Sequence, residues 1–79
     1  MKNLPLAQLL YEIADLLELQ EIPFKPQAYR NAARSIENLS EDVEKLYQQN
    51  QLEQIPGVGK SIAEKIVEFY ASNLWNEYN

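Results

Sequence analysis

The chain has 79 residues, 46% of them hydrophobic, with no cysteine, no histidine and a formal net charge of −5. That apolar fraction excludes intrinsic disorder, and the missing cysteines exclude disulfides and thiolate chemistry. Without histidine the commonest general base and the commonest metal ligand are both gone, and a carboxylate-only metal site would suit Mg or Mn better than Zn.

No apolar run approaches the ~18 residues of a membrane span, and no signal-peptide pattern precedes the first helix. The expectation is a soluble intracellular protein, cytoplasmic and nucleoid-associated if prokaryotic, with no membrane contact. Residues 1–24 carry one lysine against four acids, and residues 36–55 one lysine against five. Between them, residues 25–35 carry Lys25, Arg30 and Arg34 with no acid. An acidic chain with one basic block can meet nucleic acid only through a local patch making few phosphate contacts.

Residues 3–19 read as a helix. Leu6, Leu9, Leu10, Ile13, Leu16 and Leu17 follow the spacing of one buried stripe, with Glu12, Asp15 and Glu18 on a solvated face. Asn3 is placed to cap it, and Pro5 is tolerated in its first turn. Ile22-Pro23-Phe24-Lys25-Pro26 then breaks the pattern. A second helix starts near Pro26 and runs to about Asn38. Ala28, Tyr29, Ala32, Ala33 and Ile36 face inward, and Arg30 and Arg34 sit one turn apart on the other side, where solubility alone accounts for them.

Ser40 is expected to cap a third helix, with Glu41 and Asp42 at its positive end and Val43, Leu46 and Tyr47 inward. The polar run 48–51 ends it, and Leu52 and Ile55 form a short helical turn. Ile55-Pro56-Gly57-Val58-Gly59-Lys60 follows, holding the only two glycines of the chain. Glycine takes φ > 0 without steric cost, and a helix start leaves backbone N–H groups able to meet a phosphate. An ordinary helix–helix turn is the competing reading. The last helix spans roughly 60–71. Ile62, Ala63, Ile66, Val67, Phe69 and Tyr70 make its apolar arc, Lys60 and Glu64 face out, and Lys65 lies at the border beside Phe69. Trp75 and Tyr78 follow, expected to dock on the bundle or to pair with a downstream domain. No strand pattern occurs. The fold expected is all-α, a small four- to five-helix bundle made by residues 1–79 as a single domain.

Leu52-x-x-Ile55-Pro56-Gly57-Val58-Gly59-x-x-x-Ala63-x-x-Ile66 resembles a helix-hairpin-helix, a reader of the DNA backbone, over residues 52–71. With Phe24-Lys25-x-x-Ala28-Tyr29-Arg30-x-Ala32-Ala33-x-x-Ile36 upstream, residues 6–71 resemble the N-terminal domain of the X-family DNA polymerases, the DNA polymerase beta type. The resemblance implies binding to the 5′-phosphate side of gapped or nicked DNA, with polymerase domains following in a longer parent chain or the domain standing alone. It places Lys25 and Tyr29, with Arg30 beside them, near the 5′-phosphate, and Gly57, Val58, Gly59, Lys60 and Ser61 on the DNA backbone. It also implies a monovalent cation at the hairpin carbonyls of Glu53, Ile55 and Val58; no other cofactor is required. Lys65 matches the Schiff-base lysine of members that act as 5′-deoxyribose phosphate lyases. Ser61 and Glu53 stand where lysines are expected, and Lys25 lacks a neighbouring histidine. A Schiff base needs a neutral amine, so Lys65 has two readings, catalyst or surface lysine. A further alternative is an acidic bundle that binds protein, its hairpin a plain turn.

Overall fold

A computed structural model describes residues 1–72. The expectations for Trp75 and Tyr78 lie outside the described residues. Four α-helices follow in order: α1 (Asn3–Leu19), α2 (Lys25–Glu37), α3 (Val43–Gln48) and α4 (Lys60–Ala71), with a short 3-10 helix at Leu52–Gln54. No strand occurs among the described residues, so the all-α fold expected from periodicity is the fold observed.

The most extensive helix–helix contact joins α1 and α2. Ala7 and Ala14 on α1 and Ala32 and Ala33 on α2 are all fully buried, and their small side chains let the two backbones approach closely. Leu6, Leu10, Ile36, Val43 and Ile66 are the largest fully buried side chains and join α1, α2, α3 and α4 in one core. Tyr47 of α3 stacks on Tyr70 of α4, ring centroids 4.5 Å apart and planes 10° from parallel.

Five local expectations change, at Leu16, Ala28, Val67, Asn3 and Ser40. Leu16 is not part of the buried stripe but 59% exposed. It lies two residues beyond buried Ala14, roughly 200° round the helix, and so faces away from α2. Ala28 and Val67 are exposed as well, at the edges of the buried faces of α2 and α4. Asn3 does not cap α1. It is buried in the first turn, where its Oδ1 accepts the Val43 N–H at 2.9 Å and its Nδ2 donates to the Glu41 carbonyl at 2.7 Å. One amide thus ties the start of α1 to the start of α3. Nor is Ser40 the cap of α3. Asp42, in extended backbone, accepts the Glu44 N–H on Oδ1 at 3.0 Å, so the helix begins later than expected.

The connection from α1 to α2 is tightly wound. The Ile22 N–H donates to the Leu17 carbonyl at 3.1 Å across Glu21, whose φ of 59° is left-handed. This is a Schellman-type ending with glutamate where glycine is usual. Phe24 (φ 69°) lies within a three-residue γ-turn closed by the Lys25 N–H donating to the Pro23 carbonyl at 2.8 Å. That turn sets where Lys25 and the first turn of α2 begin.

Candidate nucleic-acid interface

The hairpin between the 3-10 helix and α4 is built on two glycines that serve different ends. Gly57 has φ +84°, and a Cβ there would lie 3.4 Å from the backbone N of Ala32. It is glycine for its backbone conformation, and the hairpin rests against α2 there at ordinary van der Waals distance. Gly59 departs from the expectation. Its φ is −92° in extended backbone, and a Cβ would meet nothing within 4 Å. Neither conformation nor internal packing asks for glycine at 59.

Gly59 is the N-cap of α4, and it brings no side chain to cap the helix. The first intrahelical bond is the Ala63 N–H to the Gly59 carbonyl at 2.9 Å. By helix geometry the N–H groups of Lys60, Ser61 and Ile62 precede that ladder and point along the axis toward the hairpin, at the positive end of the helix dipole. The Val58 N–H is spent inside the turn on the Ile55 carbonyl at 2.9 Å, and both of those side chains are buried. A carbonyl keeps a second lone pair after accepting one bond, so this use of Ile55 is compatible with a cation at the carbonyls of Glu53, Ile55 and Val58.

Two clefts meet at this end of the molecule. One, of about 310 Å³, is lined by Lys25, Ala28, Tyr29, Gly57, Gly59, Lys60, Ser61 and Ile62. Its neighbour, of about 410 Å³, is lined by Ile13, Leu17, Lys25, Tyr29, Ser61, Glu64, Lys65 and Glu68. Lys25, Tyr29 and Ser61 belong to both. The fold therefore gathers two segments about thirty positions apart, and with them most of the residues that the sequence singled out. Charge separates the clefts. Lysines 25 and 60 line the hairpin cleft with no carboxylate, whereas Lys25 and Lys65 in the other face Glu64 and Glu68. An anion is favoured in the hairpin cleft, where lysines, glycines and helix-start amides converge.

Lys65 sits in the mixed cleft with its side chain 43% exposed, its Nζ 3.1 Å from Glu68 Oε2. The hydrogen bond to Glu68, reinforced by that carboxylate's charge, raises the Lys65 pKa above its ordinary value against a smaller opposing effect of burial. The amine is held protonated. Arg30 is drawn elsewhere, its guanidinium 2.7 Å from Glu18 Oε1 and 3.1 Å from Asp15 Oδ1. Those two acids, expected to be merely solvated, pin α2 to α1, and their hydrogen bonds, Glu18 first, raise the arginine's pKa further. Arg30 lines neither cleft. Glu53 and Lys60 line a separate groove along α4 with Asn50, Leu52, Ala63, Glu64, Val67 and Glu68.

Some lining residues went unnoticed in the sequence. The periodicity puts Ile13 and Leu17 in the core stripe and Ala28 on the inner face of α2, yet all three border the clefts. The signal was their position at the edges of the apolar arcs, where a side chain is shared between core and surface. Among the described residues no cluster of acidic side chains could hold a metal ion, and no helix is long and apolar enough to cross a membrane.

No curated protein and no solved structure matches the chain significantly. A family model described as a helix-hairpin-helix domain matches residues 1–73, which suggests nucleic-acid binding in general. With the match spanning nearly the whole chain, this protein belongs to the helix-hairpin-helix domain family.

Proposed function

We propose that the protein is a DNA-backbone-binding module of the X-family polymerase type, gripping the 5′-phosphate side of gapped or nicked DNA without sequence specificity. The observation that carries this reading is the hairpin cleft, where Lys25, Lys60 and the amides after Gly59 converge without a carboxylate. The bare Gly59 adds to it, because a missing Cβ lets a phosphate approach the backbone closely. Lys25 and Lys60 supply charge, Tyr29 shapes the wall, and Ser61 adds a hydroxyl. Phosphate contacts carry no base information, so binding is sequence-independent. A monovalent cation on the carbonyls of Glu53, Ile55 and Val58 would add a positive charge at the same turn. Polymerase chemistry would belong to further domains of a longer parent chain.

Lyase chemistry at Lys65 is the weaker extension of this reading. At an unperturbed pKa near ~10.4 only about one lysine in a few thousand is neutral at pH 7. Glu68 lowers that fraction further, so Lys65 acts as a cation beside the DNA end.

The test is a titration of the ¹⁵N-labelled chain with gapped DNA bearing a 5′-phosphate, compared with the same DNA lacking it. Amide shifts should cluster at Lys25–Tyr29 and at Gly57–Ser61, weaken as salt rises, and shrink without the phosphate. Shifts confined to other surfaces, or none at low salt, would remove the proposal.

A further inference from the structure

The C-terminal end of α1 carries a surface for which DNA binding has no use. Leu19 is 80% exposed and Leu16, one turn earlier, is also exposed, while Ile22 is held at the helix end by its bond to Leu17. Large apolar side chains grouped in the open mark an interaction surface more often than chance. Here the surround is acidic. Residues 3–24 contain Glu12, Asp15, Glu18 and Glu21 and no lysine or arginine. A cleft of about 420 Å³ is lined by Asp15, Glu18 and Leu19. Arg30 meets one oxygen of each carboxylate, so two negative charges share a single positive one and an excess negative charge remains. The shape accommodates a long cationic side chain, its stem along Leu19 and its head on the free carboxylate oxygens.

Glu21 occupies the left-handed position that ends α1, where glycine would be free of strain. At position 21 it extends the acidic rim around Ile22.

We infer that this end of α1 docks a basic, apolar segment of a partner protein, with leucine-like side chains on Leu16, Leu19 and Ile22 and lysines or arginines on the Asp15–Glu18 cleft. Charge decides the occupant. A DNA backbone or an anionic bilayer meets four carboxylates against one guanidinium and is repelled, whereas a cationic segment is attracted. The surface draws on neither cleft of the DNA interface, so both could be occupied together.

The experiment uses the full chain, ¹⁵N-labelled, and a short synthetic amphipathic peptide of leucines at helical spacing interleaved with lysines. A companion peptide carries glutamates in place of the lysines. The lysine peptide should shift the amides of Leu16, Leu19, Glu21 and Ile22, and the glutamate peptide should not. Leu19→Glu should weaken that binding by at least about tenfold, since it removes apolar area at the contact. Val67→Glu, at an exposed apolar site on α4, should leave it unchanged. Circular dichroism on both variants secures the fold, and Leu19 is exposed enough for glutamate to be tolerated. Four outcomes overturn the proposal: equal binding of the two peptides, equal loss in Leu19→Glu and Val67→Glu, shifts of these amides on dilution of the chain alone (a second copy), or shifts caused by gapped DNA. This test is independent of the hairpin, so failure of DNA binding leaves it standing.

Discussion

The two hairpin glycines make opposite predictions when each is replaced by alanine. At Gly57, alanine must adopt φ +84° and place its Cβ 3.4 Å from the Ala32 backbone nitrogen and 3.5 Å from the Asn31 carbonyl carbon. The left-handed backbone costs roughly 1–2 kcal/mol, and the contacts with α2, at ordinary van der Waals distance, add little to it. In a domain of this size that corresponds to a fall in melting temperature of roughly 5–15 °C. At Gly59, alanine meets extended backbone and open space. The small gain from a stiffer unfolded chain offsets the small loss of a poorer N-cap, leaving stability within about 1 kcal/mol of the parent. DNA affinity should respond in reverse. In the proposed binding mode a methyl at 59 would stand where a phosphate approaches the amides of Lys60 and Ser61. Loss of one charge-assisted hydrogen bond, about 1.5–3 kcal/mol, weakens binding tenfold or more. Thermal melting by circular dichroism and fluorescence anisotropy with labelled gapped DNA read the two quantities separately. Equal melting losses in both variants, or full DNA affinity in Gly59→Ala, would refute the reasoning.

Four further expectations are independent of the glycines. Lys25→Ala and Lys60→Ala should each weaken DNA binding alike across sequences and lower the salt slope by about 1, whereas Arg30→Ala, whose guanidinium is engaged by Asp15 and Glu18, should change it far less; equal slopes in all three would place Arg30 on the DNA. Asn3→Ala strands the Val43 N–H and the Glu41 carbonyl, and should cost about 2–3 kcal/mol in urea unfolding while sparing DNA binding. Lys65, its pKa raised by Glu68, should stay protonated above pH 10.5 by NMR titration, and Glu68→Gln should move it back down. A raised lysine pKa means that its pairing stabilises the fold fully below 10.5 and fades as pH climbs through the folded value. Borohydride with abasic-site DNA should give no more adduct with the parent than with Lys65→Ala.

Repetition at helical spacing is a property of the chain itself, and it carried the reading a long way. The expected spans of α1 and α4 coincide with the observed ones, and α2 differs by one residue at each end. Helix ends with prolines and glycines are local events, legible wherever the local signal is strong. Caps were less legible. Asn3 and Ser40 both have capping chemistry, but Asn3 is claimed by a segment forty residues away and Ser40 is bypassed because Asp42 reaches the Glu44 amide. The site was legible as a set of residues and not as a geometry. Lys25 and Tyr29 on one side and Gly57–Ser61 on the other stood out in separate stretches, but no local rule states that they share a cleft.

The sequence by itself determined an all-α bundle of four to five helices, their order, and a glycine turn preceding a helix that starts with lysine. Those features follow from periodicity and from the steric permissions of proline and glycine, which act over a few residues. Only the tertiary structure decided that Gly57 rests against α2 while Gly59 faces open space, that Arg30 serves α1, and that Glu68 holds Lys65 as a cation. It also decided which cleft is free of carboxylates and that Leu16 and Leu19 face outward. Each of these depends on the rotation and contact of one helix against another, or on which of several nearby carboxylates a flexible cation reaches. Alanine-lined contacts set how close the helices come, and that distance is a property of the packed core rather than of any one stretch of chain.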